Sequence, residues 1–279
     1  MKAVLEDIKS NKGTSSFYAY RFQVPFFEFK WHYHPEYELT YIIKGGGYRL
    51  VGNSYENYTD GDLVLLGSNL PHTWSGKSTD SEQSEAIVIQ FSKEFIAPFL
   101  GFKESHFIKK MLEKSDRGIR FQAAQDIVPK LMALVETNGM ERILKLLTLL
   151  EELSIHSYEL ITENSVHMII SEKSELRINK VCSYIQNNYA NKITLKEMAD
   201  LIYVTESNFC KFFKKATGKT YSDYLNEMRI DEASRLLLHS EKTINQIAFE
   251  CGFETLSYFN KVFLNKKKMT PSNYRKGKL

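Results

Sequence analysis

Cysteine is nearly absent. Cys182, Cys210 and Cys251 are the three thiols in 279 residues, an odd number without any paired metal spacing. That excludes a disulfide framework and a zinc-finger ligand set, and leaves reduced thiols. Proline is scarce too, at six, while 43% of the residues are hydrophobic and 13% aromatic, so the chain is neither collagen-like nor low-complexity and can bury a sizeable core. Long apolar runs are missing. Residues 144–153 are broken by Lys145, Glu151 and Glu152, well short of the ~18 uninterrupted apolar residues of a membrane helix, so neither a span nor a membrane partner is expected. The first ten residues carry Lys2, Glu6, Asp7 and Lys9 in place of an apolar centre, from which a cytoplasmic location is expected. Length alone favours about two domains of ~100 to 200 residues.

The net charge of +3 conceals an asymmetry: residues 174–279 hold 18 Lys and Arg against 11 Asp and Glu, and the remainder holds 19 against 23. The basic half is the C-terminal one. Several of its charges gather late, at Lys266, Lys267, Lys268, Arg275, Lys276 and Lys278, where they can neutralise phosphates.

Residues 17–91 read as short β-branched and aromatic runs separated by turns. Residues 31–43, Gly45-Gly46-Gly47, residues 48–51 and Gly52-Asn53 fit strands joined by glycine turns, and Asp60-Gly61-Asp62 opens a further strand at residues 63–66. Apolar residues on both parities of 31–43 imply a strand buried on both faces of a sandwich or small barrel. From Phe121 the period becomes helical: Ile127, Leu131, Leu134 and Val135, then Ile143, Leu146, Leu147, Leu150 and Leu153, with Asn138-Gly139 between. This predicts a helical hairpin at 121–161 whose leucine stripe packs on the barrel or on a second subunit. Residues 162–175 lose the pattern and are expected as a linker.

After Ser174 the chain is helical and repeats itself at a distance of about fifty residues, with helix-turn-helix candidates at about 194–216 and 243–266. Ile193-Thr194-Leu195-Lys196-Glu197-Met198-Ala199 corresponds to Thr243-Ile244-Asn245-Gln246-Ile247-Ala248; Val204-Thr205 and Phe209 to Thr255 and Phe259; Phe212-Phe213 to Val262-Phe263. Each copy is a short amphipathic helix with a late alanine, a tight turn, and a second helix that a threonine can cap. A small residue at a helix crossing followed by a short turn is helix-turn-helix geometry, in which the second helix enters the ~12 Å wide major groove. Phe209, Phe212, Phe213, Phe259, Val262 and Phe263 would face inward and leave a polar stripe for base edges.

Residues 175–279 resemble the AraC/XylS-type transcriptional regulators. The resemblance is carried by Ile247, Ala248, Cys251-Gly252-Phe253, Tyr258-Phe259, Val262-Phe263, Met269-Thr270-Pro271 and Tyr274-Arg275. It implies base-facing residues Ser207, Cys210 and Lys211 on the first reading helix, and Leu256, Ser257, Asn260 and Lys261 on the second. Lys211 and Lys261 suit guanine O6 and N7, Asn260 suits adenine, and Leu256 a thymine methyl. Lys214, Lys215, Lys266 and Arg275 are expected on phosphates. The family usually has glycine where this chain has Lys268, which leaves the conformation of residues 266–269 open. The small, uncharged Ser207 and Cys210 shift sequence reading toward the second helix and DNA shape.

In the β half, His32, His34 and Glu38 share parity and would share a face if the strand stays regular through Pro35. With His72, which follows Gly61-Asp62-Leu63-Val64-Leu65-Leu66 and Pro71, they resemble the metal-binding pattern of cupin barrels. Such a set can ligate iron, manganese, nickel or zinc. The expectation is nevertheless a pocket without metal or other cofactor, in which His32, His34, Glu38, Tyr41, His72 and Trp74, with Trp31 and Tyr37 nearby, take a small effector such as a sugar.

The fold class expected is α+β multidomain: a cupin-like β barrel (1–120), a helical hairpin for dimerisation (121–161), the linker (162–175), and an all-α domain with two helix-turn-helix motifs (176–279). The function expected is an effector-responsive regulator, an activator by resemblance, that binds promoter DNA as a homodimer and contacts RNA polymerase; it is not an enzyme. The alternative is a metal-dependent cupin enzyme using His32, His34, Glu38 and His72.

Overall fold

The computed structural model describes residues 15–76, 83–122, 125–163 and 172–277. They fall into two compact units, Met1–Leu176 and Arg177–Leu279.

Among the described residues the first unit contains strands β1 (Tyr18–Val24), β2 (Tyr37–Lys44), β3 (Gly47–Val51), β4 (Ser54–Tyr58), β5 (Leu63–Leu66), β6 (His72–Gly76), β7 (Ser84–Phe91), β8 (Ile119–Phe121) and β9 (Tyr158–Leu160). They build a six-stranded sheet, β1-β7-β2-β5-β8-β9, and a three-stranded one, β4-β3-β6, with antiparallel pairing throughout. The unit also holds helices α1 (Lys93–Leu100), α2 (His106–Lys114), α3 (Val128–Glu136) and α4 (Gly139–Ile155). Side chains of the large sheet sort by parity. Leu39, Leu63, Leu65, Ile87, Ile89 and Phe91 join one core with Ile108, Leu131, Leu134 and the α4 leucines. Ile42, Val64, Leu66 and Ala86, on the other face, meet Val51, Tyr58 and Trp74 of the small sheet. Cover on both faces is why Leu63-Val64-Leu65-Leu66 shows no polar alternation.

The structure departs from the sequence expectation at three places. Residues 31–43 are not one strand: His32 forms an isolated bridge with His72, residues 33–36 pass through Pro35 outside any strand, and β2 begins at Tyr37. Proline has no N–H to give to a ladder. Residues 158–160 are not helical; they extend the large sheet by pairing with β8. Part of the expected linker is helix, because α5 (Glu172–Asn188) begins inside it, while its residues 164–171 lie outside those described.

The second unit continues from α5 with α6 (Leu195–Leu201), α7 (Glu206–Thr217), α8 (Tyr221–His239), α9 (Ile244–Glu250), α10 (Leu256–Lys267) and α11 (Pro271–Lys276). Each helix from α6 to α11 is opened by a threonine: Thr194, Thr205, Thr220, Thr243, Thr255 and Thr270 each accept a backbone N–H of the first turn. Glu197 and Gln246 complete capping boxes on α6 and α9. In both copies the buried alanine, Ala199 or Ala248, lets the helices close, and its carbonyl takes the N–H of Val204 or Phe253 at 3.0 Å to fix the turn. The turn needs a left-handed residue, supplied by Tyr203 (φ 58°) in one copy and Gly252 (φ 84°) in the other. Lys268 adopts the left-handed C-cap conformation (φ 59°) that Gly218 has after α7, and its N–H reaches Leu264 O at 2.9 Å. The α10 C-cap thus keeps the α7 geometry without glycine.

Candidate functional site

Between the two sheets lies a cavity of about 350 Å³. Its walls come from one parity of three strands of the large sheet: Tyr20, Phe22 and Val24 of β1, Glu38, Thr40 and Ile42 of β2, and Ala86 and Val88 of β7. Thr73 and Trp74 of β6 and residues 25–28, 30 and 32 close it. The lining is mostly apolar and aromatic, with polar groups concentrated near Glu38.

Those polar groups form one network. Glu38 Oε1 accepts from Thr40 Oγ1 at 2.6 Å, and Oε2 accepts from Gln90 Nε2 at 2.8 Å and faces His34 Nε2 at 2.9 Å. His72 Nε2 stands 3.6 Å from Glu38 Oε2. His32 Nδ1 donates to Lys30 O at 2.7 Å and His72 Nδ1 to Leu70 O at 2.8 Å, which leaves Nε2 as the ring atom each can offer to the cluster. The ligand atoms of His32, His34, Glu38 and His72 all lie within 4.8 Å of one another. Burial first, and His72 second, push the His32 pKa down to about 3, and the ring is neutral. Burial alone would raise Glu38, but His72 and His34 hold it well below the usual carboxylate range, and it is ionised. Deeper in the sheet, the buried Arg49 bonds Asp62 at 2.5 Å and Glu56 at 2.8 Å, and Asp62 accepts the Trp74 indole N–H at 3.3 Å, which fixes that wall.

The pocket residues read from sequence divide accordingly. His32, Glu38 and Trp74 line the cavity, and His34 and His72 join the network behind it. Tyr41 does not: it shares the parity of Leu39 and packs on the core beneath the helices. Sequence reasoning missed Gln90, which lies opposite Glu38 across the β2–β7 ladder, and the β1 wall. The alternation of Tyr18, Tyr20, Phe22 and Val24 in Tyr-Ala-Tyr-Arg-Phe-Gln-Val carried the signal for that wall; nothing local marked Gln90.

In the second unit, Phe209 and Phe213 of α7 and Phe259, Val262 and Phe263 of α10 are buried, which turns the opposite faces outward. Ser207, Cys210, Lys211, Lys214 and Lys215 are exposed on α7, as are Ser257, Asn260 and Lys261 on α10. Leu256 is half-buried against the α8–α10 core, which withdraws part of it from solvent. Lys266 is half-buried, and Arg275 donates from Nη2 to Lys242 O at 2.6 Å. One exposed aromatic residue went unread, and a second was read for the family resemblance alone. Tyr203 stands 87% exposed at the first turn, and Tyr258 on α10 accepts from Asn226 at 2.9 Å.

Comparison with known proteins follows the same division. Residues 15–123 match the family model described as AraC-like ligand binding domain, and residues 198–277 the one described as helix-turn-helix domain. The chain is 23% identical over 257 residues to the HTH-type transcriptional regulator YdeC of Bacillus subtilis strain 168, covering 88% of this chain and 85% of that one. It is 31% identical over 117 residues to the HTH-type transcriptional regulator YobQ of the same organism, covering 41% of this chain and about half, 48%, of that relative. A solved transcriptional regulator of Chromobacterium violaceum is 25% identical over 39% of this chain and 96% of its own, with a TM-score of 0.35. YdeC and YobQ are regulators by name, and neither favours the metal-dependent enzyme.

Proposed function

The chain belongs to the AraC-type family of helix-turn-helix transcriptional regulators, and from that premise we propose that it acts in the cytoplasm as a homodimeric activator, placing α7 and α10 of each protomer in successive major grooves of promoter DNA. The observation that carries this reading is the repeated outward face. Lys211 on α7 and Asn260 with Lys261 on α10 are exposed while Phe209, Phe213, Phe259 and Phe263 of the same helices are buried. Ser207, Cys210 and Ser257 complete the base-facing stripe, and Lys214, Lys215 and Lys266 address phosphates on either side. Arg275 acts through its remaining Nη1, because Nη2 is held by Lys242 O. The cavity near Glu38 takes the small-molecule effector, whose unequal affinity for two arrangements of the dimer sets DNA occupancy and contact with RNA polymerase.

The test is capture of DNA bound by the tagged protein in cells, then anisotropy titration of the recovered fragments. Asn260→Ala is expected to lower site-specific affinity by about 1–3 kcal/mol, roughly 5- to 150-fold, with unrelated DNA unaffected. Unchanged discrimination in both Asn260→Ala and Lys211→Ala would refute the assignment of the reading faces.

A further inference from the structure

The sequence alone favours an interior without metal; the geometry points the other way. We propose that His32, His34, Glu38 and His72 hold one divalent transition-metal ion at the polar end of the effector cavity. The effector is then a small molecule with an apolar body and an anionic oxygen donor that completes the ion's shell.

Four observations converge. First, the donor atoms of the four residues lie within 4.8 Å of one another, although residues 32–38 and 72 come from separate segments. Bonds of about 2 Å to a shared ion place ligand atoms roughly 3–4 Å apart, so only a small contraction is required. Second, His32 and His72 each donate Nδ1–H to a backbone carbonyl, Lys30 O and Leu70 O, which leaves Nε2 as the atom each offers to an ion. That is the outer-shell arrangement by which proteins orient metal-ligating imidazoles. Third, His72 Nε2 is buried and makes no hydrogen bond, its nearest charged neighbour being Glu38 Oε2 at 3.6 Å, and a cation shared between the two satisfies both. Fourth, Glu38 is oriented from outside the cluster by Thr40 and Gln90, as ligating carboxylates are. His34 faces Glu38 through Nε2; taking the ion there requires its proton on Nδ1, where Glu36 Oε2 stands at 3.6 Å.

Three imidazole nitrogens and one carboxylate oxygen suit zinc, nickel, cobalt or ferrous iron better than magnesium or calcium, which prefer oxygen. His32 and Glu38 also line the cavity, so coordination positions beyond the four face it. One carboxylate leaves a net positive centre, and Phe22, Phe27 and Trp74 on the walls fit an apolar body. The inference rests on the reading of this cavity as the effector site and is independent of the DNA-reading faces.

The experiment titrates the full-length protein, stripped with chelator, with cobalt(II). Uptake of one equivalent with visible ligand-field bands is expected, lost in His34→Ala/His72→Ala. No stoichiometric uptake by the unaltered protein, or uptake retained in the double variant, overturns the ion site, and the first of these results needs no variant to fold. 4-Nitrocatechol, an aromatic oxygen donor, is then added to the loaded and stripped protein. A spectral change confined to the loaded form supports the effector class; none, or the same change in both, overturns it. DNA binding by the same preparations reports separately on the regulator reading: protein that binds DNA but no ion defeats only this inference.

Discussion

Lys268 and Gly252 occupy left-handed positions for opposite reasons. At Gly252 a Cβ would stand 2.6 Å from Tyr189 O, so glycine is compulsory on space as well as on φ. Lys268 is exposed and takes φ 59° against the preference of an L residue. A left-handed non-glycine residue costs roughly 1–2 kcal/mol, offset in part by the greater unfolded-state freedom of glycine. Lys268→Gly is therefore expected to stabilise the protein by about 1 kcal/mol, read as a higher urea midpoint at unchanged m-value. The unusual lysine was visible in the sequence, but its conformation was not. That was decided by the Lys268 N–H closing on Leu264 O after α10.

At the scale of elements, the threonine caps were legible because a cap is a local event: Thr205 and Thr255 sit three residues before the N–H groups they accept. The helical period of α4 was legible too, though not the division of its faces. Leu146, Leu149, Leu150 and Leu153 are buried in the protein's own core, whereas Met140, Leu144 and Ile155 are 71%, 58% and 72% exposed. The leucine stripe is thus consumed within the chain, and a dimer contact on this helix falls to its outer face. Leu150→Ala is expected to cost roughly 2–5 kcal/mol of stability. Leu144→Glu should leave the thermal midpoint nearly unchanged while converting dimer to monomer in sedimentation velocity. A monomer in the unaltered protein, or a dimer indifferent to Leu144→Glu, removes α4 from the proposed interface.

For the whole molecule, charge and coupling are the relevant quantities. Not every lysine of the basic half is free for phosphate: Lys267 bonds Asp231 at 2.5 Å, Lys242 bonds Glu250 at 2.7 Å and Lys192 bonds Glu254 at 2.9 Å. Lys214 and Lys215 are exposed at the end of α7. Each phosphate contact contributes about −0.9 to the slope of log affinity against log salt, so Lys214→Ala with Lys215→Ala should flatten it by roughly 1.8 on any duplex. An unchanged slope would place both lysines away from the backbone of the DNA.

The class was legible from the residues alone: a β half, a duplicated helical half, their charges and most of the inward aromatic positions. All of these follow from local periodicity and from chemistry within a few residues. Which residues of the β half meet follows from the pairing of distant strands. Gln90 reaches Glu38 because β7 pairs with β2 in a register that aligns residues 52 positions apart, and His72 reaches His32 across a single bridge. Strand register is set by the packing of both faces at once, and no stretch of chain encodes it alone.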